Sequence, residues 1–141
     1  MKRRRSGKRR WVLWVAAMFG FILGFLSPSR ADDREFPFDH ELMLDARPMR
    51  GSKRLPNLEI GPNGKTAIEL WCNGVEGQVV VVEDTITIMT GQRTERSCSP
   101  EQARGDDEML AALIEVTKWR REGPTVVLIG PKTLRFRIPT N

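Results

Sequence analysis

Apolar and polar side chains alternate along several short segments of the chain, which is the pattern of half-buried β-strands. The first such segment is FPFDHELML, residues 36–44. One predicted face carries Phe36, Phe38, His40, Leu42 and Leu44, and the other carries Asp39 and Glu41. The pattern predicts a strand over this segment, with His40 as a half-buried strand residue.

Three hairpins are predicted further along. The segment LEIGPNGKTAIEL contains Asn63-Gly64, which suits a type I′ turn between short strands. In QVVVVEDTITIM, Glu83-Asp84 takes the turn and Ile86 and Ile88 point inward. Residues 79–82 are all valine, so alternation is absent and this strand is predicted to be covered on both faces.

The third hairpin lies in TVVLIGPKTLRFRI, around Gly130-Pro131. In its second strand, alternation places Leu134, Phe136 and Ile138 on the core face. Arg135 and Arg137 lie on the solvent face. Between the first strand and the first hairpin, residues 45–57 are polar, basic and rich in turn residues, which predicts a mobile loop.

One amphipathic helix is predicted after residue 98. Ser99, Pro100 and Gln102 provide a capping hydroxyl, a proline at the first position and a capping-box partner. The helical pattern continues through DDEMLAALIEVTKW, and Gly105 is expected to interrupt its first turn. Its apolar stripe consists of Met109, Leu110, Leu113, Ile114 and Val116 or Thr117. The acids Asp106 to Glu108 suit the positive end of the helix dipole better than a catalytic cluster.

These elements predict an α+β, mostly β fold: a strongly curved antiparallel sheet or incomplete barrel with one packed helix. The predicted organisation has a leader at 1–31, an N-terminal strand and basic loop at 32–57, and a domain core at 58–141. Residues 35–45 are expected to contribute the first strand of that core.

The charge distribution identifies the leader. The chain has 141 residues and a formal net charge of +5. Residues 1–31 hold eight of the 23 basic residues and no acid, which leaves 15 against 18 acidic residues, a net charge of −3 for the remainder. The basicity therefore belongs to the leader, and a nucleic-acid partner is not expected.

The leader has the order of a secretory signal: a cationic start, an apolar run at 11–26, and the small residues Ser29 and Ala31. Cleavage is predicted between Ala31 and Asp32, with the general secretory route preferred to the twin-arginine one. The expected location is periplasmic or secreted. The alternative is an uncleaved anchor in the inner membrane; in either case the N-terminal segment makes the only membrane contact.

The chain contains two cysteines, Cys72 and Cys98. An even number of cysteines in an exported chain indicates a disulfide, with free or reactive thiols as the alternative. No metal or cofactor is expected, because two thiols and the single, distant His40 do not form a recognised ligand spacing. A catalytic role is also not expected, because the sequence has no phosphate loop and no G-x-S-x-G motif.

The spacing of several residues resembles the META domain family, the HslJ-like heat-shock and envelope proteins formerly grouped as a domain of unknown function. The matching residues are Cys72, Asn73, Gly77, Thr94 and Cys98, followed by an acidic-started helix and the strands of VVLIGPKTLRFR. The resemblance covers roughly residues 56–138. Val75 and Val79 stand where the family has aromatic residues, and Glu95 replaces a common basic residue. The chain also lacks the lipid-attached cysteine of many relatives.

The resemblance implies export and an association with envelope stress. It implies no catalytic residues, because none are established for the family. The expected function is therefore a non-enzymatic envelope domain with a binding or structural role and an unidentified envelope protein or peptide as partner. A patch of Arg47, Arg50, Lys53 and Arg54 is the candidate contact for an anionic lipid or polymer. The alternative is a carrier of a small apolar ligand in a partly open barrel. That function would require an interior not filled by Phe36, Phe38, Trp71, Trp119 and Phe136.

Overall fold

The computed structural model describes residues 35–140 and contains eight strands and one helix in that range. The predicted leader and its cleavage site at Ala31 and Asp32 lie outside these residues. The elements are β1 (Glu41–Leu44), β2 (Asn57–Ile60), β3 (Lys65–Glu69), β4 (Gly74–Val82), β5 (Thr85–Arg93), α1 (Pro100–Ile114), β6 (Lys118–Glu122), β7 (Thr125–Ile129) and β8 (Leu134–Arg137). Within the described range, no helix is both long and apolar enough to span a membrane.

The strands form a closed antiparallel barrel in sequence order. Each strand pairs with the next, and β8 returns to β1 through the pairs Met43↔Arg137 and Leu44↔Phe136. The narrowest seam joins β5 and β6 at Thr85↔Lys118, where the chain between the two strands forms α1. The predicted α+β, mostly β class is confirmed, and the curved sheet closes completely.

The barrel interior is filled by large apolar side chains. Phe136, Leu42 and Leu128 are fully buried, and α1 adds Met109, Ala112 and Leu113 to the same core. Phe36 packs edge-on against Trp119 with ring centroids 4.9 Å apart. The indole nitrogen of Trp119 donates to the carbonyl of Glu83 at 2.7 Å, so this buried ring keeps its polar atom bonded.

Two strand predictions are wrong in detail. β1 begins only at Glu41, because the chain turns at Asp39, whose φ is +59°. His40 is consequently exposed rather than half-buried, and its Nδ1 lies 2.8 Å from the carbonyl of Phe38. Residues 79–82 are not covered on both faces: Val79 is buried, but Val80 and Val82 are 47% and 61% exposed on the outer wall.

The three predicted hairpins are confirmed, but the turn of the first is not the predicted type I′ turn at Asn63-Gly64. Gly64 has a φ of +79° and its N–H donates to the carbonyl of Gly61 at 2.8 Å, so Pro62 and Asn63 are the central residues. A type I′ turn would need positive φ at two central residues, and Asn63 does not have it. The proline at the first central position accounts for the difference, because its ring fixes a negative φ.

The helix begins as predicted and ends earlier. Ser99 accepts a hydrogen bond from the backbone of Gln102, whose side chain accepts one from Ser99 N–H, which completes the capping box. The helix runs uninterrupted through Gly105 and ends at Ile114, which is 51% exposed instead of lying in the buried stripe. Trp119 belongs to β6, a strand that the sequence pattern did not predict.

Candidate functional site: the disulfide cluster and the basic cleft

Cys72 and Cys98 form the predicted disulfide, with their Cα atoms 5.9 Å apart. Cys72 lies in the connection between β3 and β4, and Cys98 lies just before the cap of α1. The bond therefore fastens the start of the helix to the end of a barrel hairpin.

Asp106 is the buried centre of the surrounding hydrogen bonds. Its side chain is fully buried, although it carries a carboxylate. Oδ1 accepts from Cys72 N–H at 3.0 Å, and Oδ2 accepts from the backbone and side-chain nitrogens of Asn73 at 2.9 and 3.0 Å. Three donors thus replace the water that a carboxylate loses on burial.

The remaining motif residues complete the same cluster. Asn73 Oδ1 accepts from the backbone N–H of Arg96 at 2.8 Å and from the Thr94 hydroxyl at 3.2 Å. Thr94 Oγ1 in turn accepts from Gly74 N–H at 2.9 Å, and Asn73 Nδ2 lies 3.1 Å from the sulfur of Cys98. We call Cys72, Asn73, Thr94, Cys98 and Asp106 the disulfide cluster. Its polar side chains bind the turn beside the disulfide.

Gly77, the other motif residue, has a different role. A Cβ atom at this position would lie 2.3 Å from the backbone oxygen of Met89 on the neighbouring strand. The residue sits where the β4–β5 register shifts, between Val75 and Gly77. Glycine is therefore required for the close approach of two backbones.

Sequence reasoning missed the role of Asp106. The residue was assigned to the positive end of the helix, but it is the seventh residue of α1, and only Glu101 is acidic in the first turn. The available signal was its spacing: Asp106, Met109 and Leu113 lie at i, i+3 and i+7, on one helical face. An acid on the buried stripe requires donors from another element.

Cys72, Cys98 and Asp106 also form a group of potential metal ligands within the described range, with ligand atoms no more than 4.8 Å apart. The two sulfurs are joined to each other, and the carboxylate oxygens face N–H donors. This oxidised arrangement offers no thiolate, which is the form of cysteine that binds metals.

A second feature adjoins the disulfide cluster. Ser52 anchors the loop at 45–56: its hydroxyl donates to the carbonyl of Trp71 at 3.1 Å and accepts from Gln102 Nε2 at 3.0 Å. The next two residues, Lys53 and Arg54, line a cleft of about 400 Å³. We call this the basic cleft and define it by Ser52, Lys53, Arg54, Arg96, Ser97 and Gln102.

The predicted basic patch is therefore divided. Arg47, Arg50, Lys53 and Arg54 are all exposed, but only Lys53 and Arg54 line the basic cleft. Arg96 supplies a third cation from the connection between β5 and α1. Its guanidinium contacts Glu69 at 3.2 Å and the carbonyl of Cys72 at 3.1 Å, and both ionic side chains are about half exposed.

Three surface ion pairs shift the pKa values of Arg93 and Glu122. A hydrogen bond from Arg93 to Asp107 joins β5 to α1 and raises the pKa of the guanidinium. Hydrogen bonds from Arg120 at 2.7 Å and Arg135 at 2.9 Å lower the pKa of Glu122, which links β6 to β8. All three ion pairs are exposed, so salt screens them.

A second cleft lies at the barrel end beside α1, also with a volume of about 400 Å³. Met49, Trp71, Met109 and Leu134 form its apolar part, and charged side chains such as Glu108 and Lys132 border it. Among the aromatic residues expected inside the barrel, Phe36, Trp119 and Phe136 are buried, and Phe38 and Trp71 are partly buried. They occupy the space that an enclosed apolar ligand would need.

The fold and the disulfide cluster define a small antiparallel β-barrel domain with one disulfide-fastened helix, a class compatible with a binding or structural role. The chain belongs to the META domain family, whose family model matches residues 40–138. No curated protein matches the chain significantly.

Two solved structures match the chain. A structure determined by NMR superimposes with a TM-score of 0.57 at 15% identity, over 71% of this chain and 89% of that one. The crystal structure of a DUF4847 family protein from Bacteroides vulgatus ATCC 8482 gives a TM-score of 0.49 at 15% identity, over 58% of this chain and 57% of that one. At this identity, the NMR structure supports the fold and nothing further.

Proposed function

We propose that the protein is an exported, non-enzymatic domain that binds a partner or supports the structure of the cell envelope, and that it contributes to tolerance of envelope stress. The observation that carries this proposal is the internal use of the family motif. The polar members of the disulfide cluster bond to one another or to neighbouring backbone.

The groups that most often perform covalent or acid–base chemistry are engaged in the same way. Both thiols are consumed by the disulfide, and Asp106 is buried among three donors. The imidazole of His40 is exposed and contacts a backbone carbonyl. Because the motif stabilises the fold, we place the function on the outer surface.

The proposed location is periplasmic or secreted, with an inner-membrane anchor as the alternative, and rests on the leader at 1–31. A disulfide is compatible with an oxidising compartment. The proposed partners are an envelope protein or peptide and an anionic lipid or polymer. Nucleic acid is not a proposed partner, because the chain beyond the leader carries a net charge of −3.

The location is tested by fractionation of the producing cells and by mass measurement of the protein after thiol alkylation. We expect an envelope or secreted form with both cysteines protected until a reductant is added. Two alkylatable thiols on a cytosolic protein would refute the proposal.

The envelope role is tested by deletion of the gene. We expect lower survival under envelope stress, restored by the wild-type protein and by a His40→Ala variant. Failure of His40→Ala to restore survival at normal protein levels would favour catalysis. Unchanged survival of the deletion strain under every envelope stress applied would refute the stress role.

A further inference from the structure

Two cations of the loop at 45–56 have no acidic partner within the part of the chain that the structure describes. Arg93, Arg96, Lys118, Arg120, Arg135 and Arg137 all pair with carboxylates. Lys53 and Arg54, by contrast, have no ion pair within residues 35–140. Two uncompensated cations on a mildly acidic domain create a local positive potential that attracts anions.

The basic cleft holds these cations in a fixed place. Ser52, the residue before Lys53, is bonded on one side to Trp71 and on the other to Gln102 of α1. The loop is thereby fastened to the helix whose start the disulfide also fixes. A pre-positioned loop loses less conformational entropy on binding than a free one.

Arg96 also lines the cleft, but it already contacts an acidic side chain that would compete with a bound anion. Arg96 already interacts with a carboxylate, that of Glu69, but the contact is half exposed. Exposed pairs of this kind contribute about 0–1 kcal/mol, so an incoming anion displaces Glu69 at little cost. The guanidinium of Arg96 can then bind two oxygens of the anion in a fork.

We infer that the basic cleft binds a phosphate group, carried by a free phosphate ester or by a lipid headgroup. Two guanidinium groups and an ammonium group, together with the Ser97 hydroxyl, suit an anion with several oxygens and more than one negative charge. The volume of about 400 Å³ leaves room for the group to which the phosphate is attached. This inference rests on the proposed function, since it names the anionic partner of the proposed binding domain.

The binding test uses the protein as isolated from its producing cells, with its native N-terminus and its disulfide intact. Isothermal titration calorimetry at low salt measures the affinity for inorganic phosphate and for pyrophosphate. Co-sedimentation compares vesicles of phosphatidylglycerol with vesicles of phosphatidylcholine. Binding in the first assay identifies a soluble phosphate source, and binding only to phosphatidylglycerol identifies a lipid source.

The chain offers a matched pair of variants. Lys53→Gln with Arg54→Gln removes two charges from the cleft, and Arg47→Gln with Arg50→Gln removes two charges from the same loop outside it. We expect the first pair to weaken binding about tenfold, since unit charges a few ångströms from an anion each change affinity severalfold in water. The control pair is expected to change it less than about twofold, because neither of its side chains lines the cleft and solvent screens both charges.

A third variant separates binding from stability. Glu69→Gln removes the internal competitor for Arg96 and is expected to tighten binding about threefold, a gain that partial unfolding cannot produce. Equal weakening by both charge pairs, or no binding to any of the four probes, would overturn the inference. If no probe binds and the protein is exported with its disulfide formed, the phosphate site is refuted and the proposed function stands. Phosphate binding by a protein that is cytosolic and has reduced cysteines would support the phosphate site and refute the proposed function.

Discussion

Replacing Asp106 by asparagine keeps the shape of the side chain at the centre of the disulfide cluster and removes its charge. The single oxygen of asparagine can retain the two bonds that Oδ2 now accepts from Asn73. Its NH₂ group must then face the N–H of Cys72, which at present donates to Oδ1 at 3.0 Å. Two donors would then face each other, and the N–H of Cys72 would lose the acceptor that it has now.

The expected cost has two parts. An unsatisfied buried N–H costs about 1–3 kcal/mol, and each of the two retained bonds loses about 1 kcal/mol when its acceptor becomes neutral. The neutral side chain is cheaper to bury, which offsets part of this sum. We expect a net loss of about 2–4 kcal/mol, a large share of the roughly 5–15 kcal/mol that stabilises a small domain.

Urea unfolding followed by tryptophan fluorescence measures this loss. With a slope of about 2 kcal/mol per molar urea, the midpoint should fall by about 1–2 M. The matched control is Asp107→Asn, the same chemical change one residue later. That side chain is 66% exposed and pairs with Arg93 at the surface, so its loss should stay below about 1 kcal/mol. Equal midpoints for the two variants would refute the assignment of Asp106 as the centre of the cluster.

Four further variants test other parts of the structure. Replacing Cys72 and Cys98 by serine should lower the unfolding free energy by about 3.5 kcal/mol, the chain-entropy value for a separation of 26 residues, as measured by urea unfolding. Gly77→Ala should cost about 2–3 kcal/mol through its clash with β5. Gly123→Ala, with open space around it and a φ of +60°, should cost about 1 kcal/mol in the same assay. Glu122→Gln should be less stable than wild type at pH 7, because a lowered pKa means that the folded state favours the carboxylate. The two stability curves should converge as the pH falls below the unfolded value of about 4.3 and through the folded pKa, and added salt should narrow their difference. Parallel curves throughout the acid range would contradict that assignment.

The sequence predicts best those features that local chemistry controls. The capping box at Ser99 and Gln102 needs only residues three positions apart, and the hairpins need only turn residues between alternating strands. The disulfide is predicted from the even number of cysteines together with the predicted export leader. Each prediction is confirmed where the structure describes it.

The missed features depend on contacts between distant segments. β6 reads KWRRE, with Trp119 its only apolar residue, and becomes a strand because it pairs with the buried β7. The sequence pattern also predicts that Val80 is covered, but the buried side chains of α1 pack into the core and Val80 is 47% exposed. The basic cleft combines residues 52–54 with Arg96 and Gln102, and no local pattern unites them.

The pairing of β1 with β8 joins the two ends of the described chain. During ribosomal synthesis, β1 emerges first and then lacks one of its neighbours until residue 137 has appeared. Removal of residues 132–141 would therefore leave β1 and β7 each with an open edge where β8 now pairs with both. The same adjacency favours circular permutation of the described domain: a short linker from residue 140 to residue 35, with a new start in the β6–β7 turn, would preserve every strand pair.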